Sequence, residues 1–200
     1  MLESNSTRNN QIIEADASPQ CPTTIHIPYE KLLQSSSCIL QKIWNNGSMF
    51  VKPQVILYTD GSCKGNPGPG GWAFVLQHPQ TGKTLERFGS EANTTNNRME
   101  LLAVIEGLKT LTQSSSVELV SDSKYVLQGL EDWMPKWKKN GWRRKEGNSY
   151  KPVKNVELWQ ELDRLASSHD LTFRHIFGHT GHPFNERCDQ LAGLAALGAK

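Results

Sequence analysis

Val55-Ile-Leu-Tyr-Thr-Asp-Gly-Ser-Cys-Lys-Gly-Asn-Pro-Gly-Pro-Gly-Gly-Trp-Ala-Phe-Val-Leu-Gln77 is the stretch on which the fold turns. Val55 to Thr59 is β-rich and stops at Asp60. The Gly/Pro cluster Gly61 to Gly71 reads as a turn, and Trp72 to Gln77 as a second strand. A third strand, Lys83 to Gly89, follows the turn His78 to Gly82, so a three-strand meander opens after Pro53. Asn96 and Asn97 then stand as caps before a helical pattern, Arg98 to Leu111, whose Leu101, Leu102, Ile105 and Leu108 share a face. Val117 to Ser121 is a strand and Ser123 to Leu130 a helix with Ser123 as its cap. Asn155 to Ser167 is a helix with Leu158, Trp159, Leu162 and Leu165 inward. Leu171 to Phe177 is the last strand, and Asn185 to Leu197 a closing helix. The predicted fold is α/β, order βββαβααβα, a mixed five-stranded sheet flanked by helices.

The remaining chain frames this domain, residues 53–200. At 200 residues, with 36% hydrophobic and 21% charged residues, one core is attainable, and no apolar run reaches the roughly 18 residues of a membrane span. Cys21, Cys38, Cys63 and Cys188 contain no C-x-x-C pair, which argues against a zinc knuckle or disulfide scaffold. The opening residues have neither a secretory signal pattern nor an Arg-rich, acid-free transit pattern, so a reducing cytoplasm is the expected location. Residues 1–52 are expected to be an extension, its Ser-, Asn-, Thr- and Gln-rich first half disordered. Tyr29 to Trp44 has the apolar spacing of a short helix, interrupted by Ser35, Ser36 and Ser37.

Charge is distributed unevenly. The net charge is only +2, yet Trp133 to Lys154 holds eight basic residues and one acid, Glu146, a basic limb on an otherwise acidic body. Trp133, Trp137 and Trp142 interleave with its lysines and arginines, which suits phosphate neutralisation and apolar contact with sugars. Trp133 and Trp137, at i and i+4, suit packing of a helix better than stacking on bases.

Two motif matches fail on context. Gly68-Pro-Gly-Gly-Trp-Ala73 precedes a strand where a dinucleotide site needs a helix, and Gly82-Lys83-Thr84 lacks the first glycine of a P-loop. His175, His179, His182 and Cys188 make an unconvincing zinc set, because strand and loop need not bring them together. The acids are more informative. Asp60 and Asp122 end strands, Glu100 falls in the first turn of one helix and Asp189 in the first turn of the last. Any one of them could be an ordinary cap or strand end. Sheets bring strand ends together, and a cluster of carboxylates raises its pKa values or binds a hard cation.

Thr59-Asp-Gly-Ser-Cys-Lys-Gly-Asn-Pro-Gly-Pro-Gly-Gly-Trp72, Thr94-Thr-Asn-Asn-Arg-Met-Glu-Leu101, Ser121-Asp-Ser-Lys-Tyr-Val126 and Gly178-His-Thr-Gly-His-Pro-Phe-Asn-Glu-Arg-Cys-Asp-Gln-Leu-Ala192 together resemble the bacterial-type (type 1) ribonuclease H family over about residues 54–198. The resemblance implies that Asp60, Glu100, Asp122 and Asp189 hold two Mg²⁺ ions, with Mn²⁺ as a substitute, and that His179 assists proton transfer or product departure from a loop. It also implies substrate contacts at Asn66, Thr95 and Asn96. The limb, with Trp133, Trp137, Lys138, Lys139, Trp142, Arg143 and Arg144, is similar to the family's basic protrusion on the DNA strand. Lys124 stands where the pattern has a glutamine. The implied activity is endonucleolytic hydrolysis of the RNA strand of an RNA/DNA hybrid by a monomer with no membrane partner. Two alternatives remain at this stage. One is a non-catalytic hybrid binder, which a missing carboxylate would mark; the other is a DNA nuclease of the same superfamily, against which the limb and Thr94 to Asn97 argue.

Overall fold

The structure is a computed structural model that describes residues 52–178 and 181–199. The expectations for the extension and for His179 lie outside the described residues. Five strands, β1 (Gln54–Cys63), β2 (Gly68–Gln77), β3 (Thr84–Thr94), β4 (Ser116–Ser121) and β7 (Asp170–His175), form one sheet in the order β3-β2-β1-β4-β7. The β1/β2 and β2/β3 pairs are antiparallel, whereas β4 runs parallel to both β1 and β7. The helices are α1 (Asn96–Lys109), α2 (Lys124–Gln128), α3 (Met134–Lys139), α4 (Val156–Ala166) and α5 (Pro183–Gly198).

The mixed sheet and the core order of elements are as predicted. The differences lie at the ends. The Gly/Pro cluster is mostly strand, since β1 continues to Cys63 and β2 begins at Gly68. Glycines are poor strand formers in isolation but are accepted where another backbone must come close. At Gly71 an added Cβ would fall 2.6 Å from the Ala196 nitrogen, so α5 lies directly on β2. Asn96 and Asn97 are inside α1 rather than capping it. The N-cap is Thr95, whose side chain makes no capping bond, and the Asn96 N–H donates instead to the Asn66 Oδ1 at 3.1 Å. Ser123 does cap α2, accepting from the Val126 N–H at 3.3 Å. That helix then widens into a π-turn, Gly129–Trp133.

Strand alternation divides the interior into two cores. Val55, Leu57, Trp72, Phe74 and Leu76 face α1 and α4, where they meet Met99, Leu101, Ile105, Leu108, Trp159 and Leu162. Tyr58, Ala73, Val75 and Val120 face α5 and meet Cys188, Leu191 and Ala192. Both faces of β1 and β2 are therefore covered, which is why their sequences read as nearly unbroken apolar runs. The limb is folded. It comprises α3 and a separate two-stranded sheet, β5 (Arg143–Glu146) paired antiparallel with β6 (Ser149–Pro152).

Candidate active site

The register of the central strands places the first two carboxylates. The last β1/β4 pair is Tyr58 with Val120; two residues on stand Asp60, still within β1, and Asp122, one residue past the end of β4. The period of two puts Asp60 on the same face as Tyr58, the face covered by α5. Gly61 has the opposite parity, and an added Cβ there would meet the α1 backbone, 2.6 Å from the Met99 carbonyl carbon. Only glycine lets α1 come this close, and that approach delivers Glu100. One oxygen from each of Asp60, Glu100 and Asp122 lies within 4.8 Å of the others.

This ring is poorly hydrated and crowded. Asp60 is 8% and Glu100 7% exposed. Burial, then the Asp122 charge and, more weakly, Asp189, push the Asp60 carboxyl up to about 7, against the pull of the Gly61 N–H that donates to its Oδ1 at 2.8 Å. Burial followed by the charges of Asp60 and Asp122 raises Glu100 as well. Its Oε1 accepts from Asn96 Nδ2 at 3.2 Å, and the Ser123 hydroxyl is close enough to offset part of the rise, while its buried Oε2 has no partner in good hydrogen-bond geometry. Buried polar atoms are normally satisfied. An orphaned carboxylate oxygen among three converging acids is the donor set of a hard divalent cation.

Asp189 lies in the second turn of α5, not the first, and reaches Asp60 from the helix side. Glu100 likewise sits one residue past the first turn of α1. Asn66, Asn96 and Glu100 form a continuous polar string from the β1/β2 loop to the ring. Thr95, half-buried, is next to it. Sequence reading missed two close approaches. Gly61 admits α1, and at Gly178 an added Cβ would fall 2.6 Å from the Asp122 Oδ2. Glycines flanking acidic residues were the available signal.

The described histidines of the candidate zinc set, His175 and His182, do not gather. His175 packs edge-on to Phe177, and His182 packs against Tyr58. Cys188 is buried, donates to the Tyr58 carbonyl at 3.4 Å, and has its thiol pKa raised by burial. In the limb, Trp133, Trp137, Tyr125 and Trp159 form one chain of aromatic contacts with centroids 5.4–6.1 Å apart. Trp142 is half-buried against the same core. Lys138 is paired with Asp163 at 2.7 Å and Arg144 with Glu146 at 3.1 Å. Lys139 and Arg143 are exposed, and Arg143 Nη2 donates to the Tyr150 carbonyl at 2.7 Å.

A mixed five-stranded sheet that converges three carboxylates from two parallel strands and a helix defines a class: α/β proteins with a divalent-cation site at the carboxyl ends of the central strands. A family model described as RNase H matches residues 52–197, and the chain belongs to the ribonuclease H family. The ribonuclease H of Rhodopirellula baltica is 59% identical over 141 residues, 70% of this chain and 89% of the relative. That of Hahella chejuensis is 53% identical over 140 residues, 70% of this chain and 91% of the relative. Among solved structures, LC9-RNase H1, a type 1 RNase H with the type 2 active-site motif, aligns with a TM-score of 0.66 and 34% identity, covering 76% of each chain. LC11-RNase H1 in complex with an RNA/DNA hybrid aligns with a TM-score of 0.55 and 26% identity over 72% of this chain and 97% of that one. No helix among the described residues is long and apolar enough to cross a membrane.

Proposed function

We propose that residues 53–200 cleave the RNA strand of RNA/DNA hybrids endonucleolytically, leaving 5′-phosphate and 3′-hydroxyl ends, as a cytoplasmic monomer using Mg²⁺, with Mn²⁺ as a substitute. The observation that carries this is the ring of Asp60, Glu100 and Asp122 with its orphaned oxygen. Asp60, Glu100, Asp122 and Asp189 are the catalytic carboxylates and the metal ligands. Asp60, Glu100, Asp122 and Asp189 would hold two divalent ions, which when bound would supply activation of the attacking water and stabilisation of the leaving 3′ oxygen in an in-line displacement.

The protein's own groups orient the substrate and manage protons. Asn66, Thr95 and Asn96 offer amide and hydroxyl groups to the sugar-phosphate backbone beside Glu100. His179, one residue beyond Gly178 in the sequence, assists proton transfer or product departure. Strand choice has a physical basis, because only the RNA strand presents 2′-hydroxyls in the minor groove. The limb meets the DNA strand. Lys139 and Arg143, which have no carboxylate partner, neutralise phosphates, whereas Trp133, Trp137 and Trp142 hold its shape from below, and Lys138 and Arg144 stay with Asp163 and Glu146. The hybrid-bound relative, LC11-RNase H1, supports the choice of substrate.

The test is cleavage of an end-labelled hybrid with and without Mg²⁺, by the wild type and by Asp60→Asn. The substitution keeps the shape and removes the charge, so hydrolysis is expected to fall by orders of magnitude with folding retained. Near-normal turnover of the variant at saturating Mg²⁺ would overturn the ligand assignment.

A further inference from the structure

The hairpin of the limb has two chemically different faces. Its register pairs Arg143 with Pro152, Arg144 with Lys151, Lys145 with Tyr150 and Glu146 with Ser149. Paired residues share a face and alternate residues take opposite ones. One face therefore holds Arg144, Glu146, Ser149 and Lys151, and there both cations share one carboxylate: Glu146 binds Arg144 at 3.1 Å and Lys151 at 3.3 Å, leaving a net charge of +1 against +2 on the other face. The other holds Arg143, Lys145, Tyr150 and Pro152, all exposed. Among the described residues, neither Arg143 nor Lys145 has a carboxylate within ion-pairing distance. Tyr150 is 46% exposed, whereas the tryptophans below it are packed together.

An aromatic ring half in water opposite the Lys145 ammonium, with the Arg143 guanidinium on the same face held by the Tyr150 carbonyl and free of any carboxylate, has the chemistry of a single-strand platform. The ring offers a stacking surface and the two cations neutralise the flanking phosphates. A base-paired duplex hides its base faces and offers such a ring only its sugars, whereas an unpaired base offers a whole face to stack on. We propose that the Arg143/Lys145/Tyr150 face binds unpaired DNA continuing from the hybrid, so that the preferred substrate is a hybrid adjoining a single-stranded DNA segment. This rests on the reading that the limb meets the DNA strand. The opposite face, with its charges paired, takes no part.

The experiment compares the affinity of the full chain, in chelator so that nothing is cleaved, for a blunt hybrid and for the same hybrid with single-stranded DNA extensions of graded length at either end of the DNA strand. Cleavage of the blunt hybrid in Mg²⁺ is measured separately. For the wild type, a DNA extension on one side is expected to tighten binding about five- to tenfold, the lower part of the range for one stacked base. Tyr150→Ala is expected to abolish that gain and leave blunt-hybrid affinity within about twofold, while Tyr150→Trp retains it. Lys145→Ala and Lys151→Ala remove the same charge from opposite faces, and only the first should reduce the gain. No gain from any extension, an equal gain in Tyr150→Ala, or equal losses for the two lysine variants would overturn the proposal. Failure to cleave the blunt hybrid at all would instead overturn the enzymatic reading.

Discussion

Asp60 is a destabilising residue in the metal-free protein. Its carboxyl is held at about 7, against a usual value of about 4, so the folded state binds a proton more tightly than the unfolded chain does. That contribution to stability is fully present below about pH 4 and is lost as pH rises through about 7. Glu100, raised by the same burial and repulsion, acts in the same direction. Without metal, the melting temperature should therefore fall between pH 4 and pH 7. Mg²⁺ should restore it at neutral pH, and Asp60→Asn should melt higher than the wild type at pH 7.5 in chelator. Thermal melts across this range check all three, and a lower melting point for the variant would show that the carboxylate is paired and not repelled. Both aspartates were legible because an apolar β-rich run stops at each, although only Asp122 stands at a strand end: β1 carries on past Asp60 to Cys63. The bond from the Asn96 N–H to Asn66 was not, since no local pattern ties residues thirty positions apart.

At the scale of elements, the limb is both tied down and partly free. Trp159 is fully buried, donates its Nε1–H to the Tyr125 hydroxyl at 3.0 Å, and abuts Trp137. Trp159→Ala should cost about 3–5 kcal/mol in urea unfolding, as large-to-small core changes do. Neutralising Lys138, Lys139, Arg143 and Arg144 together should raise KM and leave kcat much less changed. Because Lys138 and Arg144 already have carboxylate partners, the slope of log affinity against log salt should flatten by about two contacts' worth, near 1.8, and not by four. Titrations between low and moderate salt decide between these values. The elements along the apolar runs were readable from their periodicity. The hairpin Arg143 to Pro152 was not, because its strands alternate among charged and polar residues and bury no common face. The glycine cluster misled for the opposite reason, since local propensity marks a turn while the approach of α1 and α5 requires strand glycines.

For the whole molecule, the extension and the domain are expected to be separable. Removing residues 1–48, so that the chain starts at Met49, should leave the melting temperature and hybrid cleavage unchanged; a sharp drop in either would make that segment part of the core. The end of the sheet away from the carboxylates carries a second pH response. The His169 Nδ1 accepts from the Ser115 N–H at 3.3 Å, and burial, then the Lys52 charge, lowers its pKa. This contribution is present above the unfolded value near 6.5 and is lost as pH falls through the folded one, opposite in sign to that of Asp60. His169→Phe should remove it and flatten the acid limb of the melting curve. Finally, α5 does two jobs at once: it covers Tyr58, Ala73, Val75 and Val120, and it carries Asp189 to Asp60. During synthesis these residues of the sheet are made long before their cover. A nascent chain halted ahead of residue 183 would present that apolar face to water and lack the fourth carboxylate. Such a product is a client for chaperones or proteases, and on the proposed ligand assignment it is expected not to nick a hybrid on the way.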